Sequence, residues 1–256
     1  MAIKPVWTEG LLVSQHHFQV QDHYHEALLR DRIASVRRFH WGISELEIDA
    51  RLFQAGQLGL RSLRAVWPDG LVTASGGAAG DPLPEPRPFE GHFPPNGAQL
   101  DVFVAVASEE AAANVASPGE PPLQRRFSRV TRPVDDFNSG GQQQEVELAV
   151  PNLRIVFGTE RRDKLAALPI AQLVRQSNGQ IVVRDTFVPP VLQISAAPFV
   201  TSGLRRVLGA ITAKQRELAA ARKQRHAGSV EFHFTDARSF WLLHTLNATM
   251  PLLAHL

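Results

Sequence analysis

The chain has 256 residues, a formal net charge of +2 and no cysteine, with 44% apolar and 20% charged residues. This length suffices for one large or two modest domains with a substantial core. The lack of cysteine excludes disulfides, thiolate metal sites and cysteine nucleophiles. The near-neutral charge predicts no nucleic-acid partner. No apolar run approaches a membrane span, and the start Met-Ala-Ile-Lys-Pro lacks a secretory core, so we expect a cytoplasmic protein without membrane insertion.

The first twenty-five residues concentrate apolar side chains at a chain end, where most soluble domains fray unless something holds the end in place. Trp7, Leu11, Leu12 and Phe18 are the large apolar members. Such side chains either fold back onto the chain's own core or contact a partner. The sequence therefore marks this segment as a candidate interaction surface.

A helix is predicted over residues 15–39, because apolar residues recur there at spacings of three, four and seven. The residues that share this side are Phe18, His25, Leu28, Leu29, Ile33 and Val36. A short helix followed by an extended segment is the alternative, since residues 20–25 fit either state.

Residues 41–195 are predicted to form short antiparallel strands. Candidate strands are residues 41–43, 46–49, 51–54, 58–66, 100–106, 127–134, 145–150, 153–157, 165–175, 180–184 and 188–194. Pro68-Asp69-Gly70 and Ser177-Asn178-Gly179 predict turns, and residues 74–97 predict a loop or extended edge segment because they are rich in Gly, Ala and Pro. Many short strands at regular spacing favour an antiparallel β-sandwich over a parallel α/β sheet.

A helical pattern replaces the strands from Phe199 onward. Its apolar residues make a narrow, near-heptad line that favours a bundle or coiled coil. The members of this line are Leu204, Val207, Leu208, Ile211, Leu218 and Ala221, with Gln215 at one of its positions. Gly228-Ser229 should end the helix, and Thr235-Asp236 should cap a second one that Pro251 kinks or ends. The last residues, Leu252 to Leu256, are apolar and uncapped, so we expect the chain to be a fragment.

Three chemical hypotheses compete with an interaction role. His16, His17, His23 and His25 invite a metal site, but no spacing such as H-E-x-x-H supports it, and histidines at a packing surface are the alternative. Ser14, His16 and Asp22 are the residue types of a hydrolase without the G-x-S-x-G context. Trp67 and Phe89 are the candidate exposed aromatics of a carbohydrate-binding sandwich. No catalytic constellation and no cofactor site is predicted.

Several motifs in succession resemble the TssK family, the baseplate connector subunits of bacterial type VI secretion systems. Trp67 replaces the family's usual apolar residue before Pro-Asp-Gly, and His17 widens its Gln-His-Phe element by one residue. The motifs are Val6-Trp7-Thr8-Glu9-Gly10, Gln15-His16-His17-Phe18, Pro68-Asp69-Gly70, Leu83-Pro84-Glu85-Pro86, Leu153-Arg154-Ile155, Leu168-Pro169-Ile170-Ala171, Asp185-Thr186-Phe187-Val188-Pro189-Pro190, Gln215-Arg216-Glu217-Leu218-Ala219 and Leu246-Asn247.

The resemblance implies a non-enzymatic, homotrimeric adaptor without cofactor in the bacterial cytoplasm, at the cytoplasmic face of the inner membrane when assembled. It implies an arm and helix over residues 1–40, a β-sandwich shoulder over 41–195 and a truncated helical neck over 196–256. The shoulder, similar to the anchoring domain of phage receptor-binding proteins, would dock on the wedge subunits TssF and TssG. A head absent from this chain would reach the membrane-complex proteins TssL and TssM.

Two sets of residues carry these expectations. The arm patch, expected to face the wedge proteins, is Trp7, Gly10, Leu11, Leu12, His16 and Phe18. The neck seam, expected to trimerise, is Leu204, Leu208, Ile211, Gln215 and Leu218. One alternative is that Trp7 caps the sandwich or neck and only positions the arm. The other is a sandwich module that binds carbohydrate or another small ligand, as phage-tip proteins can.

Overall fold

A computed structural model describes residues 3–77, 80–95, 97–109, 114–116, 125–226 and 234–255. The chain divides into two compact units, Met1–Ala196 and Ala197–Leu256. The first unit contains α1 (Gln15–Val36), β1 (Gly42–Ile48), α2 (Ala50–Gln54), β2 (Gln57–Leu58), β3 (Leu60–Val66), β4 (Val72–Ser75), β5 (Arg87–Pro88), β6 (Gln99–Ala107), β7 (Phe127–Asp135), β8 (Gln143–Pro151), β9 (Arg154–Phe157), β10 (Leu165–Arg175) and β11 (Ile181–Val183). The second unit contains α3 (Pro198–His226) and α4 (Phe234–Ala254).

Two antiparallel sheets build the first unit around one core. One sheet has the strand order β1-β3-β4 and the other β11-β10-β6-β9. Strand β6 is central because β10 and β9 pair on its two sides. Leu63 from the first sheet and Val104 from the second are fully buried members of the same cluster. The predicted antiparallel sandwich followed by helices is therefore confirmed.

The Pro-Asp-Gly turn joins β3 to β4 as the sequence predicted. The Trp67 amide donates to the Leu71 carbonyl at 2.8 Å, and Gly70 adopts a φ of +90° that suits a residue without a Cβ atom. The Trp67 side chain is fully buried and its indole N–H donates to the Thr73 hydroxyl at 3.2 Å. The turn thus fixes a tryptophan that anchors the end of the sheet.

Two predicted strands are wrong. Residues 51–54 form α2, because the Asp49 carboxylate accepts hydrogen bonds from the Arg51 and Leu52 amides at 2.8 and 3.2 Å and caps a helix there. Residues 188–194 contribute only an isolated parallel bridge between Val191 and Ile43 of β1. The adjacent prolines of this segment have no N–H to continue a ladder.

The second unit is a helical hairpin. Gln215 Nε2 donates to Asn247 Oδ1 at 2.6 Å, and the Arg222 guanidinium lies 5.4 Å from the centre of the Phe240 ring. Residues later in α3 therefore meet residues earlier in α4, which makes the two helices antiparallel. Helix α4 continues past Pro251 to Ala254, so the proline does not end it. The predicted break at Gly228-Ser229 and the side chains of the predicted cap at Thr235-Asp236 lie outside the described residues.

Candidate functional site

A tight turn shapes the arm before α1. The Leu11 amide donates to the Thr8 carbonyl at 3.2 Å, and Gly10 has a φ of +77°. This left-handed value at the third residue of a β-turn is the one that glycine adopts most readily. The Trp7 ring lies 5.9 Å from the His17 ring, measured between centroids, so the turn brings the tryptophan to the first turn of α1.

Most of the arm patch lies open to solvent. Trp7 is 47% exposed, Leu12 89% and Phe18 58%, while Leu11 is half-buried. Gly10 and His16 are also exposed. None of these residues belongs to the buried core, so the alternative in which a buried Trp7 caps the sandwich is not what the structure shows. The patch presents apolar surface that water solvates poorly, which is typical of a contact region.

Helix α1 is confirmed, and it ends at Val36, three residues earlier than predicted. Its predicted apolar side does not enter the core. Leu29, Ile33 and Val36 are all exposed, and Ala27 is the buried residue of this helix. Helix α1 therefore carries exposed apolar side chains of its own, in addition to those of the arm.

A polar cluster fastens α1 to the sandwich. Arg30 Nη1 donates to Glu109 Oε2 at 2.9 Å and to the Asp69 carbonyl at 3.4 Å. A Cβ atom on Gly70 would lie 3.2 Å from the Arg30 side chain, so the turn and the arginine stem are closely packed. Asp69 Oδ2 in turn pairs with Arg126 Nη1 at 2.8 Å, and Arg126 is almost fully buried.

Local sequence pattern does not predict these contacts. Pro-Asp-Gly indicates only a hairpin turn, and no pattern indicates a role for the carboxylate of Glu109. Arg30 is one of four arginines within the predicted helix, and nothing in its sequence context indicates a partner 79 residues away. Long-range pairing of this kind follows from the fold and not from local pattern.

The neck seam lies on α3 and remains incompletely covered. Its four apolar members and Gln215 are all half-buried, and none is buried. The amide of Gln215 bonds Asn247 of the same chain. On α4, Trp241 is 63% exposed and Phe240 is 40% exposed. The hairpin thus leaves apolar side chains available to further helices.

The metal and hydrolase hypotheses gain no support from the geometry. In the described part of the chain, His, Cys, Asp and Glu side chains form no group of three that could hold a metal ion. The His17 ring accepts from the Ser14 amide at 3.2 Å, and its Nδ1 lies 2.9 Å from the Ser14 hydroxyl. Ser14 therefore contacts His17 at the start of the helix, whereas the hydrolase hypothesis requires a contact between Ser14 and His16.

The carbohydrate hypothesis loses both of its candidate residues. Trp67 is fully buried and Phe89 is 4% exposed, so neither ring can stack on a sugar. Both belong to the core of the sandwich. Exposed aromatic rings occur elsewhere, in the arm, on α4 and at Phe137 in the turn after β7.

No helix in the described ranges is long and apolar enough to cross a lipid bilayer. A sandwich with an open apolar arm, followed by a helical hairpin with open apolar side chains, defines a protein built to associate with other polypeptides.

The comparison with known families gives this class a name. The family model described as "Bacterial Type VI secretion, VC_A0110, EvfL, ImpJ, VasE" matches residues 17–256. The chain belongs to this family.

A curated relative agrees with the family match. The chain is 28% identical over 253 residues to the type VI secretion system baseplate component TssK1 of Pseudomonas aeruginosa. The match covers 98% of this chain and 55% of the relative, so the chain spans about half the length of the curated relative it matches.

Solved structures share the fold. A chain of the baseplate complex from the type VI secretion system superposes with a TM-score of 0.85 at 25% identity, covering all of this chain and 56% of that one. A chain of the TssK-TssF-TssG baseplate subcomplex superposes with a TM-score of 0.84 at 23% identity, covering all of this chain and 80% of that one. The crystal structure of TssK matches with a TM-score of 0.81 at 22% identity.

Proposed function

We propose that this chain is the shoulder-and-neck part of a structural adaptor in a type VI secretion baseplate, and that it has no enzymatic activity. The observation that carries the proposal is the open apolar arm patch on a chain of the TssK family. The similar TssK occurs in a subcomplex with TssF and TssG, which makes these two proteins the proposed partners.

The arm patch provides the proposed contact with TssF and TssG. Its exposed side chains, Trp7, Leu12 and Phe18, cluster around the start of α1, and the turn at Gly10 fixes the backbone that presents them. A surface whose backbone is already ordered loses less conformational entropy on binding. Large apolar and aromatic anchors of this kind carry most of the binding energy in protein interfaces.

A matched pair of exposed residues tests this contact. Leu12 and Val36 are both 89% exposed, but only Leu12 belongs to the arm patch. We expect Leu12→Ser to reduce co-purification with TssF and TssG about tenfold or more, and Val36→Ser to leave it unchanged. Equal recovery with both variants, each folded by circular dichroism, would remove the arm from the interface.

The remaining architecture of the proposal follows the family. Residues 41–195 act as the shoulder, residues 196–256 contribute to a trimeric neck, and a head domain of the assembled adaptor, rather than these residues, reaches TssL and TssM. Repetition of one weak shoulder contact in a trimer raises the overall affinity without a new contact. The proposed place of action is the cytoplasm, at the inner membrane when the machine is assembled.

A further inference from the structure

Strands β7 and β8 form a ribbon apart from both sandwich sheets. They pair antiparallel over nine residues, from Phe127 opposite Pro151 to Asp135 opposite Gln143, as a two-stranded sheet of their own. Such a hairpin is marginally stable in water without support. One face of the ribbon is exposed from the pair Arg129 and Ala149 to its tip, and it carries Arg129, Thr131, Pro133, Asp135, Glu145 and Glu147.

The ribbon ends in a fixed turn that displays an aromatic ring. The Asp136 carboxylate accepts from the Asn138 amide and the Ser139 hydroxyl, both at 2.8 Å. The Gly140 amide donates to the Asp136 carbonyl at 2.7 Å. Phe137 lies within this turn and is 95% exposed. A rigid turn that holds out a large apolar side chain has little entropy left to lose when the ring is buried.

Charge indicates what the ribbon would contact. Residues 127–151 contain four carboxylates and two arginines, whereas α3 contains seven Lys and Arg and one Glu. Arg205 and Arg206 are exposed on α3, and no acidic partner for either occurs in the described part of the chain. Val207, the next residue, is 49% exposed. The helix therefore offers the opposite charge beside an apolar side chain.

Edge-to-edge pairing of two ribbons is disfavoured. Pro133 has no N–H to give to an added strand, so it obstructs the edge of β7. Pairing of β8 with β8 would bring Glu145 and Glu147 of one copy close to the same carboxylates of another, and like charges across strands are destabilising. A helix of opposite charge meets neither obstacle.

We propose that the ribbon docks on α3 of a second copy of this chain. Phe137 packs beside Val207, and Asp135 and Glu145 face Arg206, which projects about 100° around the helix from Val207, with the long side chain of Arg205 on the other flank of Arg206. The contact is head to tail, because one copy gives its ribbon and the other its helix, and such contacts close into a ring where the rotation between successive copies returns to the first copy. The inference rests on the proposed self-association, and it adds an interface separate from the neck seam.

A charge exchange tests the pairing. The variant Asp135→Lys/Glu145→Lys should raise the self-dissociation constant about tenfold or more in light scattering, and so should Arg205→Glu/Arg206→Glu. The chain with all four changes should regain association. Glu85→Lys/Glu90→Lys, which reverses two exposed carboxylates outside the ribbon, should behave as wild type. Ribbon variants that associate like wild type, or a wild type that is monomeric throughout the concentration series, would overturn the inference.

Directed crosslinking locates the contact, and it is simple because the chain has no native cysteine. A mixture of Phe137→Cys chains and Val207→Cys chains should form disulfides between the two kinds of chain under mild oxidation. Disulfides formed only between like chains would contradict the head-to-tail geometry.

The neck-seam variant Ile211→Asp separates this inference from the proposed function. If Ile211→Asp abolishes association while the ribbon variants leave it intact, the neck proposal stands and the ribbon inference fails. If the ribbon variants weaken association and the crosslink forms, the inference holds.

Discussion

Trp67 is the largest fully buried side chain among the described residues. Its indole N–H has one acceptor, the Thr73 hydroxyl at 3.2 Å. Replacing Thr73 with Val keeps the shape and removes that acceptor. A buried donor left unpaired costs about 1–3 kcal/mol, so we expect the free energy of unfolding to fall by that amount. Chemical denaturation measures it. Thr131→Val, at an exposed position of β7, is the control, and an equal loss in both variants would contradict the argument.

Glu160 links stability to pH. Arg87 donates to both of its carboxylate oxygens, at 2.9 and 2.7 Å, and these bonds hold the pKa of Glu160 below its ordinary value of 4.5. A carboxylate whose pKa is lowered by folding contributes stability above its unfolded pKa, and that contribution disappears as the pH falls through the folded pKa.

We therefore expect Glu160→Gln to be less stable than wild type at neutral pH and to approach it as the pH falls from 4.5 toward the lowered folded pKa. Urea midpoints across that range measure the difference. Glu85→Gln, an exposed carboxamide substitution, controls for the loss of a negative charge. A stability difference for Glu160→Gln that stays constant with pH would show that the ion pair does not act through protonation.

At the scale of elements, α1 depends on Arg30 for its attachment. We expect Arg30→Met to free the helix from Glu109 and the Pro-Asp-Gly turn, so that amide hydrogens of α1 exchange faster while those of β6 and β10 keep their protection. Hydrogen exchange by mass spectrometry resolves the two regions. Arg32→Met changes an exposed arginine of the same helix and should leave exchange unaltered. Faster exchange throughout the sandwich would mean that Arg30 supports the whole unit.

The sequence predicted correctly those strands and turns that are determined by a few neighbouring residues. The alternation of β6 and the turns at Pro68-Asp69-Gly70 and Ser177-Asn178-Gly179 were each encoded within a few residues, and the structure confirms them. Residues 51–54 were misassigned because four apolar and polar residues fit a strand as well as a helix, and the Asp49 cap decided between them. Burial was harder to predict, since whether Trp67 or Phe18 lies in the core depends on the tertiary fold.

At the scale of the whole molecule, the sequence identified candidate contact surfaces but could not show which residues contact each other. It marked the arm patch as apolar, and the structure adds that most of the patch is exposed to solvent. It placed Gln215 in the neck seam without a partner, and the structure gives it Asn247. The ribbon was predicted only as two strands, because the periodicity of neighbouring residues indicates neither its separation from the sandwich sheets nor the exposure of Phe137.

The last prediction concerns the neck seam. Ile211 is half-buried on α3, and in a neck the remainder of its surface would be covered by helices of other copies. A charge placed there would have to be buried without a partner, so the proposed trimeric neck predicts that Ile211→Asp shifts the mass of the chain from trimer to monomer in light scattering. Ala213→Asp, two residues away and exposed, should remain trimeric. Helical circular dichroism should be the same in both variants. A trimer that survives Ile211→Asp, or a variant that loses its helical signal, would show that Ile211 serves the packing of α3 on α4 within one chain.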